Sequence, residues 1–471
     1  MNKKFTHLLK LFCFIPFVMA AYGQSPAEDP HWDPADTLFQ GDVKCDTPIC
    51  VNIDQAVDTA VVKSFDSRMK MESVFRARQK IFTALSQLLP RFEISLSFGI
   101  VPLDILGTIT NLVGFIIPSN WYNWKESKLF YQAEATSYLS LLQNQVTDTE
   151  ILYYNLHRIN VDLLIYKFYI DHLTDLIANI KKNNVENGKV SAQDLLVLQN
   201  YLTEMITDAQ TLDAIIRLVD QYDLSSALAY NDMDGINIEA LELPDLTLVP
   251  PITVTHQDAN IAFNLSNDIL SLRYLKRASK YERMSRIFSF FSGEAGASRR
   301  GADATIGISL GFDYLPEIRF SSSETRTIEL QIKQTAQQLE NFYRKAGDGY
   351  NAAIDLYKNY LSGRNNNSLL LKSLLTDYSL KGTIDADRFI KSIYWSIKFE
   401  LGRNFAQHFF LISKSQIDRI RLNGDRYQRI PSLVPIPANI YPHGWHDHKM
   451  ESENSDINHD IESGALDISH P

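Results

Sequence analysis

Between Ser119 and Leu243, and again between Glu317 and Ile430, the chain has no proline, and its apolar residues recur at helical spacing. In the first stretch Leu152, Leu156, Ile159, Leu163, Tyr166, Ile170, Leu173, Ile177 and Ile180 step by four and three. In the second, Ile328, Ile332, Thr335, Leu339, Phe342, Ala346, Gly349, Ala353, Leu356 and Tyr360 do the same. A period near 3.5 residues keeps an apolar seam on a partner helix without drift, so both stretches predict long, paired helices. At 1.5 Å per residue a helix from Trp121 to about Asn183 spans roughly 90 Å.

Each long helix is entered past a proline that closes an alternating run. Phe92, Ile94, Leu96, Phe98 and Ile100 alternate with Glu93, Ser95, Ser97 and Gly99, and a less regular strand follows over 109–117, before Pro118. In the second half a short strand starts at Ile287. Thr305 to Tyr314 then alternates apolar with small or polar residues before Pro316. Period-2 order is the signature of a strand. Helical patterns precede both hairpins, over 52–88 and 260–286.

The turns of the long helices also match: Gly188-Lys-Val-Ser-Ala-Gln-Asp-Leu-Leu and Gly382-Thr-Ile-Asp-Ala-Asp-Arg-Phe-Ile lie 194 residues apart. The chain thus divides into a first repeat over 52–230, with a hairpin at 91–117 and a turn near 188, and a second over 260–425, with a hairpin at 287–315 and a turn near 382. A connector over 231–259, marked by Pro244, Pro250 and Pro251, separates them.

The two alternating strands have the length and pattern of transmembrane β-strands, an ordinary soluble hairpin with one face on a core being the alternative. Four strands cannot close a barrel, and lipid does not tolerate an open sheet edge, so copies must pool their strands. Trp121, Tyr122 and Trp124 stand directly after the first hairpin, where they suit an interfacial aromatic girdle; packing on a protein surface is the alternative.

Residues 1–24 read as an export signal, with Lys3, Lys4 and Lys10 before a short apolar stretch over 11–21, an uncleaved membrane anchor being the alternative. The segment over 25–51 is an N-terminal extension carrying Cys45 and Cys50. In an oxidising compartment these close a small disulfide loop, the alternative being two thiols. The formal net charge is −10, and removing the three signal lysines leaves 43 basic against 56 acidic residues, which argues against a nucleic-acid partner. The tail over 426–471 reads as disordered. His443, His446, His448, His459 and His470 offer it transition-metal chemistry, although their spacing fits no compact ligand set and no resident metal is expected. No phosphate loop, HExxH or nucleophile–base grouping stands out, so neither enzymatic activity nor a cofactor is expected.

The order and duplication of these motifs resemble the outer-membrane efflux protein family, the TolC-like ducts. The likeness is carried by Asn52-Ile-Asp-Gln-Ala-Val with the helix after it, Leu88-Leu-Pro-Arg-Phe-Glu-Ile-Ser-Leu-Ser97, Gly307-Ile-Ser-Leu-Gly-Phe312 and the two glycine-marked turns, over about residues 50–425. The resemblance implies a mainly α fold with a small β part: antiparallel helical hairpins forming a coiled-coil tunnel, and a twelve-stranded barrel closed by a homotrimer. It also implies an outer-membrane location with the tunnel in the periplasm, and partnership with a periplasmic adaptor and an inner-membrane transporter. The function so implied is passive export in tripartite efflux or type I secretion. A non-conducting structural or adhesive envelope protein is the alternative from the sequence, and a periplasmic scaffold whose hairpins never enter lipid is a third.

In the family the two turns form the periplasmic tip. Asp194 matches an acidic tip position, and it is equally an ordinary first-turn aspartate on a helix. The second tip departs from the pattern, with Arg388 and Lys391 where many members carry aspartates. Cation preference is therefore open, and an Asp194–Arg388 pair is a candidate closing contact.

Overall fold

The computed structural model describes residues 50–88, 118–182, 190–230, 236–255, 258–259, 263–264, 266–289, 314–381, 385–422 and 425–433. Chain order is β1 (Cys50–Val51), α1 (Ile53–Lys63), α2 (Phe65–Leu88), α3 (Pro118–Ile180), α4 (Ala192–Thr211), a π-helical segment (Leu212–Arg217), α5 (Leu218–Ala227) and β2 (Asn237–Ile238). It continues with α6 (Asn267–Ser289), α7 (Tyr314–Lys381), α8 (Ala386–Arg421) and α9 (Asp425–Leu433). The protein is mainly helical, with a single short parallel strand pair among the described residues, in the register Cys50↔Asn237 and Val51↔Ile238.

Helix starts follow their capping residues. Asn52 opens α1 with a capping box: its Oδ1 accepts from Gln55 N at 2.8 Å, and Gln55 Oε1 accepts from Asn52 N at 3.4 Å. Ser191 caps α4 and Asp385 caps α8 at positions 194 apart, each accepting from the amide three residues on. Ser64, with φ −53° and ψ 137°, leaves the helical conformation and separates α1 from α2.

The two long helices contain 63 and 68 residues, about 95 and 100 Å at the α-helical rise. Helix α8 is an unbroken run of 36 residues. Its counterpart is divided into pieces of 20, 6 and 10 residues by the π-helical turn. Every seam position of the second stretch, from Ile328 to Tyr360, is buried or half-buried, as the period requires. The first stretch is covered more widely: Tyr153, Tyr154, Leu156, His157 and Ile159 are all buried, because α1, α5, β2 and α8 surround this part of α3.

No single core holds the molecule. Five apolar clusters are distributed along the helices among the described residues, some of them side by side at one level, as where Leu411 packs against two of them. One, at the far end, joins Ile177 and Ile180 of α3, Leu198 of α4, Leu371 of α7, and Phe389 and Ile393 of α8. At the opposite end Ser285 Oγ donates to Ser119 O at 3.3 Å, and Tyr122 stacks on Phe288 with centroids 5.4 Å apart. The end of α6 and the start of α3 therefore meet there.

Two sequence expectations change at their edges. Ile287, Phe288 and Ser289, assigned to a strand, continue α6, and Phe288 is held by the Tyr122 ring. Tyr314 and Leu315, assigned to the end of the second hairpin, likewise begin α7, and residues 91–117 and 290–313 lie outside the described residues. Residues 426–433, assigned to a disordered tail, instead lie within α9. Tyr427 and Ile430 share one helical face and fill an apolar cluster with Val57, Val61, Leu142 and Val146, while Arg426 reaches buried Glu150. The five tail histidines lie outside the described residues.

Candidate functional site

The tip is built on the apolar cluster of α3, α4, α7 and α8, which fixes the first turns of α4 and α8. Gly188 and Gly382 lie outside the described residues. Asp194 sits in the first turn of α4, closed onto its own cap: Ser191 Oγ donates to Asp194 Oδ2 at 2.6 Å, and Asp194 N donates back to Ser191 Oγ at 3.0 Å. On α8, Arg388 Nε lies 3.3 Å from the capping Asp385, and Lys391 Nζ lies 2.7 Å from Asp387. The second tip thus carries two acids and two bases in local pairs. Arg388 and Lys391 are well exposed, and Asp194 and Arg388 do not pair within the chain.

The three aromatic residues after the first hairpin point different ways. Tyr122 is taken into the helix interface, between Phe288 and Tyr281. Trp121 is 36% exposed and meets Trp124 edge-on at 6.2 Å. Cys50 is disulfide-bonded; the other two cysteines of the sequence, Cys13 and Cys45, lie outside the described residues.

Sequence reading missed a series of buried polar links that join α3 and α7 to α8. Nearest the tip, Asn367 Nδ2 donates to Ser392 O at 2.8 Å and to Ser396 Oγ at 2.6 Å. Next, Glu400, with its side chain 1% exposed, is held by Arg364 and Arg403. Then Asn404 Nδ2 donates to Asp162 Oδ1 at 2.7 Å, while Arg158 lies 3.2 Å from Asp162 Oδ2. Burial raises the Asp162 carboxyl to about 7, against the lowering effects of Asn404 and Arg158.

One turn further, His157 Nδ1 and His408 Nε2 are 2.8 Å apart. Leu241 N donates to His157 Nε2 at 3.0 Å, and His408 Nδ1 lies 2.8 Å from Asn404 O. Burial lowers His157 to about 4. Burial, with the adjacent His157 ring and Arg158, lowers His408 to about 3, against the opposing hydrogen bond to Asn404. Beyond them Glu150 takes hydrogen bonds from Ser415 and Arg426. Each member is an ordinary polar residue on a helical stretch. Its partner lies up to 276 residues away, so no local signal marks it.

Among the described residues no helix is long and apolar enough to cross a membrane, and no group of three or more His, Cys, Asp or Glu side chains is arranged to hold a metal ion. What the geometry defines is a wall: two long helices and their return helices, packed along their lengths and joined by polar links. Such a wall, with β-hairpins expected at one end and helix turns at the other, is the TolC-like outer-membrane channel fold.

Solved structures bear out that assignment. The chain is similar to a membrane protein from Pseudomonas aeruginosa, with a TM-score of 0.65 and 16% identity over 89% of this chain and 100% of that one. It is similar to the Campylobacter jejuni CmeC outer membrane channel, with a TM-score of 0.64 and 12% identity over 89% of this chain and 97% of that one. It also matches the outer membrane protein VceC from Vibrio cholerae, with a TM-score of 0.59 and 10% identity over 78% of this chain and 95% of that one. No protein-family model and no curated protein matches the sequence.

Proposed function

We propose that the chain is one subunit of an outer-membrane duct that exports small molecules or proteins passively. In this reading three copies pool the strands expected within 91–117 and 290–313 into a twelve-stranded barrel. Their helices form a tunnel in the periplasm, and two tandem repeats in each chain supply the wall. A periplasmic adaptor and an inner-membrane transporter, of tripartite efflux or type I secretion type, supply the energy. The observation that carries the reading is the gathering of elements at the two ends. The end of α6 meets the start of α3 where the hairpins leave, and all four tip segments share one apolar cluster at the other end. The overlap with CmeC, over 89% of this chain and 97% of that one, supports it.

Trp121 and Trp124 are the proposed girdle residues, with Tyr122 anchoring them to α6. Gly188 and Gly382 turn the tip, and Cys45 is the proposed partner of Cys50. In the tip, Asp194 carries the acidic charge while Asp385 and Asp387 offset Arg388 and Lys391. Charge at a constriction sets ion preference.

Single-channel recording of the purified full chain in planar bilayers tests the duct. Stable, reproducible conductance steps are expected, and Asp385→Asn with Asp387→Asn is expected to move selectivity toward anions. A trimer that inserts but never conducts would instead support the structural or adhesive reading.

A further inference from the structure

The His157–His408 pair lies midway along the wall, where α3, α8 and the connector meet, and it goes beyond the duct reading without depending on it. The direction of every hydrogen bond is fixed from the two ends. Leu241 N–H can only donate, so His157 Nε2 accepts and the ring carries its proton on Nδ1. That proton is donated to His408 Nε2, which leaves His408 protonated at Nδ1, facing the Asn404 carbonyl. All four ring nitrogens are used, both rings are neutral, and both residues are fully buried. An extra proton on His157 Nε2 would face the Leu241 N–H, and one on His408 Nε2 would face the His157 Nδ1–H. Each is a donor set against a donor.

The surroundings do not relieve this. From α3, Arg158 opposes added positive charge, and Asp162 is already engaged by Arg158 and Asn404. From α5, Asp220 lies in the field of Arg158. On the connector, Glu239 offers its carbonyl to Tyr153 Oη at 3.0 Å. Along α8, Glu400 is two turns away and held by Arg364 and Arg403. Along α3, Glu150 is two turns the other way, held by Arg426 and Ser415.

We propose that this relay is an acid-sensitive bolt: a proton taken up on either ring breaks a hydrogen bond joining α3 to α8 or to the connector, and the connector around Leu241 lifts from the wall. Histidine suits such a role because the released imidazole titrates near 6.5, well above its value when held neutral by burial.

The sign follows from linkage. A base whose value is lowered in the folded state contributes stability above its released value and loses it as pH falls toward the folded one. Both rings are held below their released value near 6.5, so the opening constant rises as pH falls from 7 to 4.5.

The test is hydrogen exchange of the full chain by mass spectrometry, following the Leu241 amide and the C2 protons of the two histidines. Corrected for intrinsic rates, Leu241 protection is expected to fall at least tenfold between pH 7 and 4.5, with both rings titrating below pH 5. In His157→Gln with His408→Gln, the pH-dependent loss is expected to vanish. Flat wild-type protection, a ring titrating near 6.5, or an equal loss in a folded double variant overturns the proposal. If the double variant does not fold, the wild-type titration decides alone.

Discussion

The C-terminal helix gives the sharpest test of the packing argument. Arg426 reaches from α9 to Glu150 on α3 and, at 2.8 Å, to Asp54 on α1, while Tyr427 Oη lies 2.9 Å from Thr147 Oγ1. The Glu150 side chain is 5% exposed and that of Asp54 is 55% exposed. Losing the Asp54 contact therefore costs at most about 1 kcal/mol, whereas leaving Glu150 buried without its cation costs about 3–5 kcal/mol.

Arg426→Met keeps the aliphatic stem and removes the charge, so the second figure is the one expected. At about 1.4 kcal/mol per tenfold, α9 should lose roughly 100- to 4,000-fold of its amide protection. Adding Glu150→Gln removes the stranded charge and should restore at least half of that loss in free energy, a coupling of about 2 kcal/mol. The assay is amide hydrogen exchange over α9 in the folded protein at neutral pH, so global unfolding is not needed. A loss under tenfold in the single variant, or a double variant no better protected than the single, would falsify the view that Glu150 depends on Arg426.

Two further outcomes follow from the same geometry. Gly402→Ala puts a methyl group 2.5 Å from the Tyr360 ring, so the α7–α8 pair is expected to lose about 1–3 kcal/mol through overpacking, read as a lower thermal midpoint. Asp162→Asn addresses pH. A carboxyl raised to about 7 contributes stability fully below its ordinary value near 3.8 and loses it as pH rises through 7. The Asn variant should therefore gain on the wild type as pH goes from 4 to 8 in a thermal melt, and parallel curves would count against a buried, titrating Asp162.

Much of this architecture was legible because it repeats a simple rule. Seam residues from Ile328 to Tyr360 are covered as their spacing demands, and Asn52, Ser191 and Asp385 open helices as short polar caps do. What escaped was long-range or depended on geometry finer than a period. Tyr122 and Trp121 are neighbours in sequence, yet consecutive residues are turned about 100° apart on a helix, so one is packed and the other half open. The π-helical turn at Leu212–Arg217 adds one residue to a turn without changing residue type. His157 and His408 are 251 positions apart, and nothing near either predicts the other. At the tip the charges were visible, but their pairing was not. Arg388 lies against the cap three residues back, and Asp194 lies against Ser191.

The division of the apolar interior into five clusters has a consequence for how such a chain can change over time. The cluster around Ile177, Leu198 and Phe389 shares no residue with the other four, so stability is set more by local sums and adjoining contacts than by one shared centre. Distant substitutions then act independently. A change among the residues around Ile177, Leu198 and Phe389 leaves the packing where α6 meets α3 untouched, and the reverse holds too. The wall can therefore be rewritten section by section, each section repaired within itself, until little of the original wording remains while the shape endures.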